Sequence, residues 1–508
     1  MSATEPLEAR RRPPATRATL SERVERLATR RNAWLLAGAA AVLVLAVFLL
    51  RPTYPNYDTY YTLLWGDELV RGHLPDYDVF RTPTPHPLST LFAGAMSFFG
   101  GAADRLMVLV TLASFAVLVG LLFRFTQVLL GTLVALVAAG VLLTRTDLEF
   151  YALRGMIDVP FLALVFGAAV LELERPKRGW PVMALLALAG LLRPEAWVLA
   201  GAYALWMTYA APPHRRMRAL LRYGAMTAVA PAIWLAADWI VTGEPLYSLT
   251  STRDVAGEFG RQRGLLDAIG LIPDYVGANE KIVNVGAGGL GLLLALWLLR
   301  GRALLAIALG LVGVATFLAI SVAGLSVIPR YLVIPSLLLN LCVAVALAGW
   351  TLIEKPRARR VAIGIAIVSL GLVAFRLPAY VNDARKLNGQ TTFVKGQHQD
   401  LKRVLDDPRV VTLLGRCGPI TTPTHSAIPV VRYETGLGKE AFEPSIAQKR
   451  PPERGLLLIG ETFNFEPAAA RSTIGVSQRS AAQWWSNYPL STFRLVARTD
   501  RWRVYANC

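Results

Sequence analysis

The sequence predicts an all-α polytopic membrane protein with about eleven transmembrane helices, ending in a small α/β domain outside the membrane. Three observations predict it. The 508-residue chain is 54% hydrophobic and has a positive mean hydropathy. Several windows exceed about 18 nearly uncharged residues, enough to cross a hydrocarbon core of roughly 30 Å. They must be helical, because backbone polar groups in a bilayer have to be satisfied within the segment. Much of the Arg and Lys sits in short clusters beside these windows, as in cytoplasmic loops. After residue 378 no such window occurs, and short β-like runs replace them. A formal charge of +18 would suit a nucleic-acid binder. Its placement beside spans and the lack of a nucleic-acid motif argue for membrane topology instead, with no nucleic-acid partner.

The elements follow in order. Residues 1–32 carry Arg10, Arg11, Arg12, Arg17, Arg23, Arg26, Arg30 and Arg31 and read as a flexible cytoplasmic tail. The first span, 33–50, is too long and too poorly flanked for a cleavable signal and reads as an anchor. Further basic punctuation falls at Arg124, at Arg175 with Lys177 and Arg178, at His214 to Arg218, at Arg300 with Arg302, and from Lys355 to Arg360. Placing every cluster in the cytoplasm gives spans near 33–50, 103–123, 127–143, 159–173, 181–192, 196–211, 220–241, 284–299, 303–322, 332–352 and 361–377. The N-terminus is then inside and the C-terminus outside. The short 181–192 piece and its partner flank Arg193-Pro194-Glu195 and read as half-buried helices. Residues 88–100 are apolar but short, and suit a re-entrant or interfacial helix. The membrane unit is 33–377 and the outer α/β domain 378–508. Its β-like runs are Val410 to Leu414, Ile428 to Tyr433, Leu456 to Ile459 and Trp502 to Tyr505. Cys417 and Cys508 lie in this domain and are expected to pair in an oxidising compartment, while Cys342 lies in a span.

The polar outer loops are 51–87, 144–158, 242–283 and 323–331. The first concentrates acids, aromatics, Arg, His and prolines beyond what a connector needs. Asp58, beside Tyr57, Tyr60 and Tyr61, can act as a general base on a sugar or lipid hydroxyl; the bland reading is an interfacial residue in an aromatic belt. Asp67 and Glu68 look like a solvated helix face. His86, between prolines, either orients a phosphate or a substrate hydroxyl or caps the next helix. Arg145, Asp147, Glu149, Arg154 and Asp158 form the second loop, where mutual ion pairing is the simplest reading. Arg193 and Glu195 interrupt an apolar run, and charges at that depth usually face a cavity or a partner. Arg330, with Tyr331, lies on the outer side, where a positive charge is unexpected. A guanidinium there suits a lipid-linked phosphate, which it grips bidentately. Asp238 is expected to pair internally. No metal-ligand spacing, phosphate-binding glycine loop or nucleophile elbow appears. No cofactor is expected, and dependence on a divalent metal is left open.

Taken together, these segments resemble the integral-membrane glycosyltransferases of the GT-C superfamily, similar to protein O-mannosyltransferases and lipid A aminoarabinose transferases. The resemblance rests on Tyr57-Asp58 after the first span, Gly72, Pro75, Tyr77 and Phe80, the run Pro83-Thr84-Pro85-His86-Pro87, Leu192 to Trp197, Gly243 to Tyr247, and Pro329-Arg330-Tyr331 with Pro335. It covers roughly residues 33–377. It implies a polyprenyl-phosphate sugar as donor, transfer with inversion on the non-cytoplasmic face, and a role for Asp58 as first-loop catalytic acid-base group. The acceptor would be a glycan, lipid or protein hydroxyl. Tyr57, Tyr61, His86, Arg154, Arg193, Glu195, Arg330 and Tyr331 would line the substrate site. The chain departs from those families at Thr59, where they typically carry Glu. The expected setting is a multi-pass protein of the cell envelope, in the plasma membrane, with its site facing outside among membrane lipids. The rival class is a transporter or flippase of lipid-linked glycans, against which stands the lack of an inverted repeat. A glycan polymerase or ligase would place its large outer segment between late spans rather than at the C-terminus.

Overall fold

A computed structural model describes residues 30–258, 264–299, 304–325, 327–422, 425–444, 453–460 and 492–508; nearly all of the expected cytoplasmic tail lies outside them. Helix α1, Arg30–Leu50, leads to α2, Tyr57–Val70. The α2 start is set by Asn56, whose side-chain oxygen accepts the Thr59 N–H at 2.9 Å, a favoured N-cap arrangement. Helix α3, Pro87–Ser97, opens with proline in its first turn, where the missing N–H has no intrahelical role. It is too short to span and lies across α2. A Cβ on Gly66 would strike the backbone of Gly94, so this crossing requires glycine.

Helices α4, Ala103–Leu130, and α5, Thr132–Leu143, follow. The expected turn near Arg124 is absent. The break falls at Gly131, with φ 82°, a conformation that suits glycine. Arg124 instead pairs with Glu174 at 2.7 Å. The expected loop 144–158 is largely helix α6, Thr146–Leu153, bent by 115° into α7, Asp158–Glu174. Helices α8, Trp180–Leu192, and α9, Glu195–Tyr209, flank Arg193-Pro194, and α10 runs Arg216–Thr242. The expected loop 242–283 holds α11, Tyr247–Glu258, and the first half of α12, Leu265–Leu299, which turns through 102°. Among the described residues Asp238 pairs with no cation; it accepts the Ser248 N–H at 2.8 Å and hydroxyl at 2.7 Å, tying α10 to α11. Helices α13, Leu304–Val322, α14, Val333–Ala348, and α15, Pro356–Leu405, complete the series.

The expected spans fall on helices, except that 127–143 straddles the break at Gly131 between α4 and α5. Among the described residues, five helices are long and apolar enough to cross alone, or seven if each bent pair counts as one span. The apolar pieces 132–143 and 180–192 are too short alone at 1.5 Å per residue. The protein is thus a multi-pass integral membrane protein. Leu221, Trp239, Leu293 and Leu311 are exposed on its flanks, where lipid replaces water as solvent. Its largest core packs Phe125 and Phe166 edge to face at 5.9 Å and extends through α8, α9, α12 and α14.

The expected domain boundary at 378 falls inside α15, which passes Pro378 without ending. Beyond it lie α16, Pro408–Val411, and α17, Ile428–Thr435. The expected strands at 410–414 and 428–433 are therefore corrected to helix and turn. Asp407 caps the Arg409 N–H at 2.9 Å ahead of Pro408. Pro429 opens α17, and Gly436, with φ 68°, closes it, a proline-start and glycine-stop pair. The other two runs are strands. The sheet has order β1-β2-β4-β3, from β1, Ile420–Thr421, β2, Gly455–Gly460, β3, Arg494–Arg498, and β4, Trp502–Asn507. β1 and β2 are parallel and the other pairs antiparallel. Val431, Leu456 and Trp502 share one core with Tyr60, Leu63 and Ala93 of α2 and α3, so the domain is seated on the segment after α1.

The Cys417 and Cys508 sulfurs are bonded, with Cα atoms 4.8 Å apart and a sequence separation of 91. Cys417→Ser should cost the domain about 2–5 kcal/mol, the usual effect of removing a native bridge. A melt following Trp502 fluorescence against a membrane-helix probe checks this. An unchanged domain midpoint would show that the bridge contributes nothing.

Candidate functional site

Pro194 disfavours helical backbone at the residue before it. Arg193 accordingly adopts φ −150° and ψ 130°, ending α8 and sending its guanidinium inward. There Nε and Nη2 donate to Glu195 Oε1 at 2.9 and 2.6 Å, and Nη1 donates to Asp158 Oδ1. The Tyr331 and Phe161 rings lie 5.0 and 5.4 Å from the guanidinium carbon. Arg330 comes from the 3-10 turn Pro329–Leu332 that opens α14, and its Nη1 is 3.9 Å from Asp158 Oδ2. These residues line a small pocket whose wall continues through Thr316 and Ile334.

The two arginines are not equivalent. Arg193 is buried and held by two carboxylates, which leaves it little capacity for a ligand. Arg330 is less buried and, among the described residues, its one ion pair is long and its Nε lacks a hydrogen-bond partner. A guanidinium with an unused donor that lines a cavity is suited to a phosphate. Asp158, which the sequence reading left to ion pairing within its own loop, is instead the centre of the cluster. Only Arg145 with Asp147, at 2.7 Å, pairs within that loop; Glu149 pairs with Arg51 at 2.9 Å. Nothing in the spacing links Asp158 to Arg193, 35 residues away.

Asp58 stands in the first turn of α2, half-buried, outside the pocket lining. Its charge nevertheless acts on Arg330. Thr59, where the resembling families carry Glu, is buried, and its hydroxyl donates to the Gly155 carbonyl at 2.9 Å, which ties α2 to the loop before α7. Tyr57 donates to the Arg81 carbonyl at 3.0 Å and packs on Tyr61 at 5.0 Å. Tyr61 is itself buried against Trp65 at 5.6 Å. These tyrosines form a layer under the C-terminal domain rather than a wall of the pocket. Glu68 is not a solvated residue: it accepts the Asp76 N–H at 2.8 Å and faces Arg432 at 3.4 Å. Arg154 lies apart from the pocket, over Phe150 at 4.4 Å and Tyr54 at 5.3 Å.

His86 precedes α3 but makes no side-chain cap. Its ring meets Trp234 edge-on at 5.6 Å and reaches the Leu192 carbonyl. Burial, and then Arg193 and Arg330, lower its pKa to about 3. It is neutral at pH 7 and adds no charge to the site. Burial likewise lowers His398 to about 4 and His425 to about 3. Since an unfolded His titrates near 6.5, the unfolded chain binds up to three protons that the folded one refuses. Stability should therefore fall as pH drops from 6.5 towards 4. Thermal melts across that window check this; a midpoint that rises on acidification would contradict the buried placement. Among the described residues no three His, Cys, Asp or Glu side chains gather at metal-binding distance.

The described residues make a bundle of bent and half-length helices with a charged pocket and a C-terminal domain seated on the segment after α1. The chain is similar in structure to ArnT of Cupriavidus metallidurans. Against the crystal structure of ArnT bound to undecaprenyl phosphate, the TM-score is 0.52 at 14% identity, covering 94% of this chain and 99% of that one. Against apo ArnT the values are 0.53 and 15%, with the same coverage. The Archaeoglobus fulgidus oligosaccharyltransferase gives 0.47 at 12% identity over 82% of this chain and 64% of that one. No protein-family model and no curated protein sequence matches the chain.

Proposed function

We propose that the protein is an inverting glycosyltransferase that moves a sugar from a polyprenyl-phosphate donor to an acceptor hydroxyl at the outer face of the plasma membrane. The observation that carries this reading is Arg330. It is a guanidinium that lines a charged pocket, with Nη1 3.9 Å from Asp158 and, among the described residues, no hydrogen-bond partner at Nε. The fold likeness to ArnT, crystallised with undecaprenyl phosphate, supports the choice of donor class.

In this mechanism Arg330 holds the donor phosphate, while Arg193, clamped by Asp158 and Glu195, fixes the pocket wall and the Tyr331 ring. Asp58 takes the proton of the acceptor hydroxyl. The acceptor oxygen attacks the anomeric carbon from the side opposite the phosphate, and the bond from that carbon to the phosphate oxygen breaks. Polyprenyl phosphate leaves as an anion that needs no proton, so a single carboxylate suffices, unlike the pair typical of glycoside hydrolysis. A fixed cation at the leaving phosphate supplies electrostatic stabilisation.

Purified protein in nanodiscs, given a panel of radiolabelled polyprenyl-phosphate sugars and an envelope extract as acceptor, should move label into a product other than the donor. Transbilayer movement of donor without transfer would favour a flippase and overturn the reading. Arg330→Ala should weaken undecaprenyl phosphate binding about 10- to 100-fold, the loss of one charge-assisted contact worth roughly 1.5–3 kcal/mol. Unchanged affinity would remove Arg330 from the phosphate site.

A further inference from the structure

We infer that Arg81 is a positioning residue for Asp58, and that His425 of the C-terminal domain completes the clamp that holds it. The inference rests on the reading of Asp58 as the base. Arg81 has φ 56°, a left-handed conformation that side chains adopt at a cost and keep only where their surroundings impose it.

Here three separate segments impose it. The Arg81 carbonyl accepts the Tyr57 hydroxyl at 3.0 Å. Its Nη1 donates to His425 Nδ1 at 3.3 Å, and its Nε faces Glu258 of α11 at 3.3 Å. Phe80 lies 5.2 Å beneath the guanidinium. The His425 ring also meets Tyr57 edge-on at 5.3 Å. The Arg81 side chain is 9% exposed, while Glu258 stands half in solvent, so the shielded contacts are those to Tyr57 and His425.

The consequence reaches the base through one residue. Tyr57 opens α2 and Asp58 follows it. The first turn of a helix has no intrahelical partners for its N–H groups and frays readily. Asn56 caps this turn from within; the Tyr57 ring, pinned between Arg81 and His425, fixes its rotation and hence where the Asp58 carboxylate points. The outer domain thereby contributes to the site without touching substrate. Its neutral imidazole is the acceptor that a neighbouring guanidinium requires.

The test uses full-length protein in nanodiscs. Arg81→Gly accommodates φ 56° without strain but carries no guanidinium. His425→Phe keeps a ring without an acceptor, and His425→Asn restores an acceptor. Amide exchange over residues 57–62 should rise about fivefold in Arg81→Gly and His425→Phe. Turnover with the donor found active should fall about tenfold, as expected for a displaced catalytic group, while the affinity for undecaprenyl phosphate holds. His425→Asn should recover most of both. Unchanged exchange in Arg81→Gly and His425→Phe would overturn the clamp. Raised exchange with full turnover would leave the clamp standing and overturn the catalytic reading of Asp58.

Discussion

Asp58→Asn should slow sugar transfer by about 10²- to 10⁴-fold, the range for loss of a positioned general base, while undecaprenyl phosphate still binds. The substitution keeps the size of the side chain and most of its hydrogen bonding but cannot accept the acceptor's proton. The native carboxylate is half-buried and stands apart from the pocket wall, so the change should leave the fold intact. Donor binding should persist because the phosphate contact is assigned to Arg330. The check is a pair of measurements on one preparation, single-turnover transfer and donor affinity. Full transfer by Asp58→Asn would return Tyr57 and Asp58 to an interfacial role. Loss of donor binding alongside transfer would show that the two residues do not have separate tasks.

Arg193→Met should destabilise the membrane unit by about 3–5 kcal/mol, the cost of leaving buried charges without their partner. Asp158 and Glu195 would then face each other in a dry setting, with only the long contact to Arg330 in compensation. The triple substitution Arg193→Met, Asp158→Asn, Glu195→Gln removes the charges together and should recover much of the loss, since a neutral cluster leaves no uncompensated charge. Thermal unfolding in detergent separates the two variants. A single substitution as stable as the parent would mean the cluster is solvated rather than buried. The triple variant should still fail to transfer, because Arg330 would have lost the anion that orients it.

Much of the fold was legible in the sequence because hydropathy reports directly on the solvent each segment meets. The apolar windows landed on helices, although Arg124 marked no turn and the break fell at Gly131 instead. What misled was the assumption that polar means loop. The described parts of 144–158 and 242–283 are largely helix, with Tyr247–Glu258 held to α10 through Ser248 and Asp238. The two strands wrongly expected at 410–414 and 428–433 carried helix punctuation in plain view, with proline in the first turn of each and Gly436 ending the second. The candidate site was legible residue by residue but not in its pairing. Arg193, Glu195 and Arg330 stand out as charges between apolar runs. That Asp158 joins them depends on how α7, α8 and α14 pack, which no local pattern encodes. Arg81 gave no signal, because its distinction is a backbone angle.

The 50 residues of Pro356–Leu405 make a single rod about 75 Å long at 1.5 Å per residue, more than twice the thickness of a hydrocarbon core of roughly 30 Å. No slack joins its lipid-facing half to the half that carries the sheet. About 40 Å of rod lies beyond Pro378, so a change of some 5° in tilt would sweep its far end by about 3–4 Å. Helices adjust their tilt to the thickness of the bilayer around them. The height of the C-terminal domain above the bilayer should therefore shift with lipid chain length.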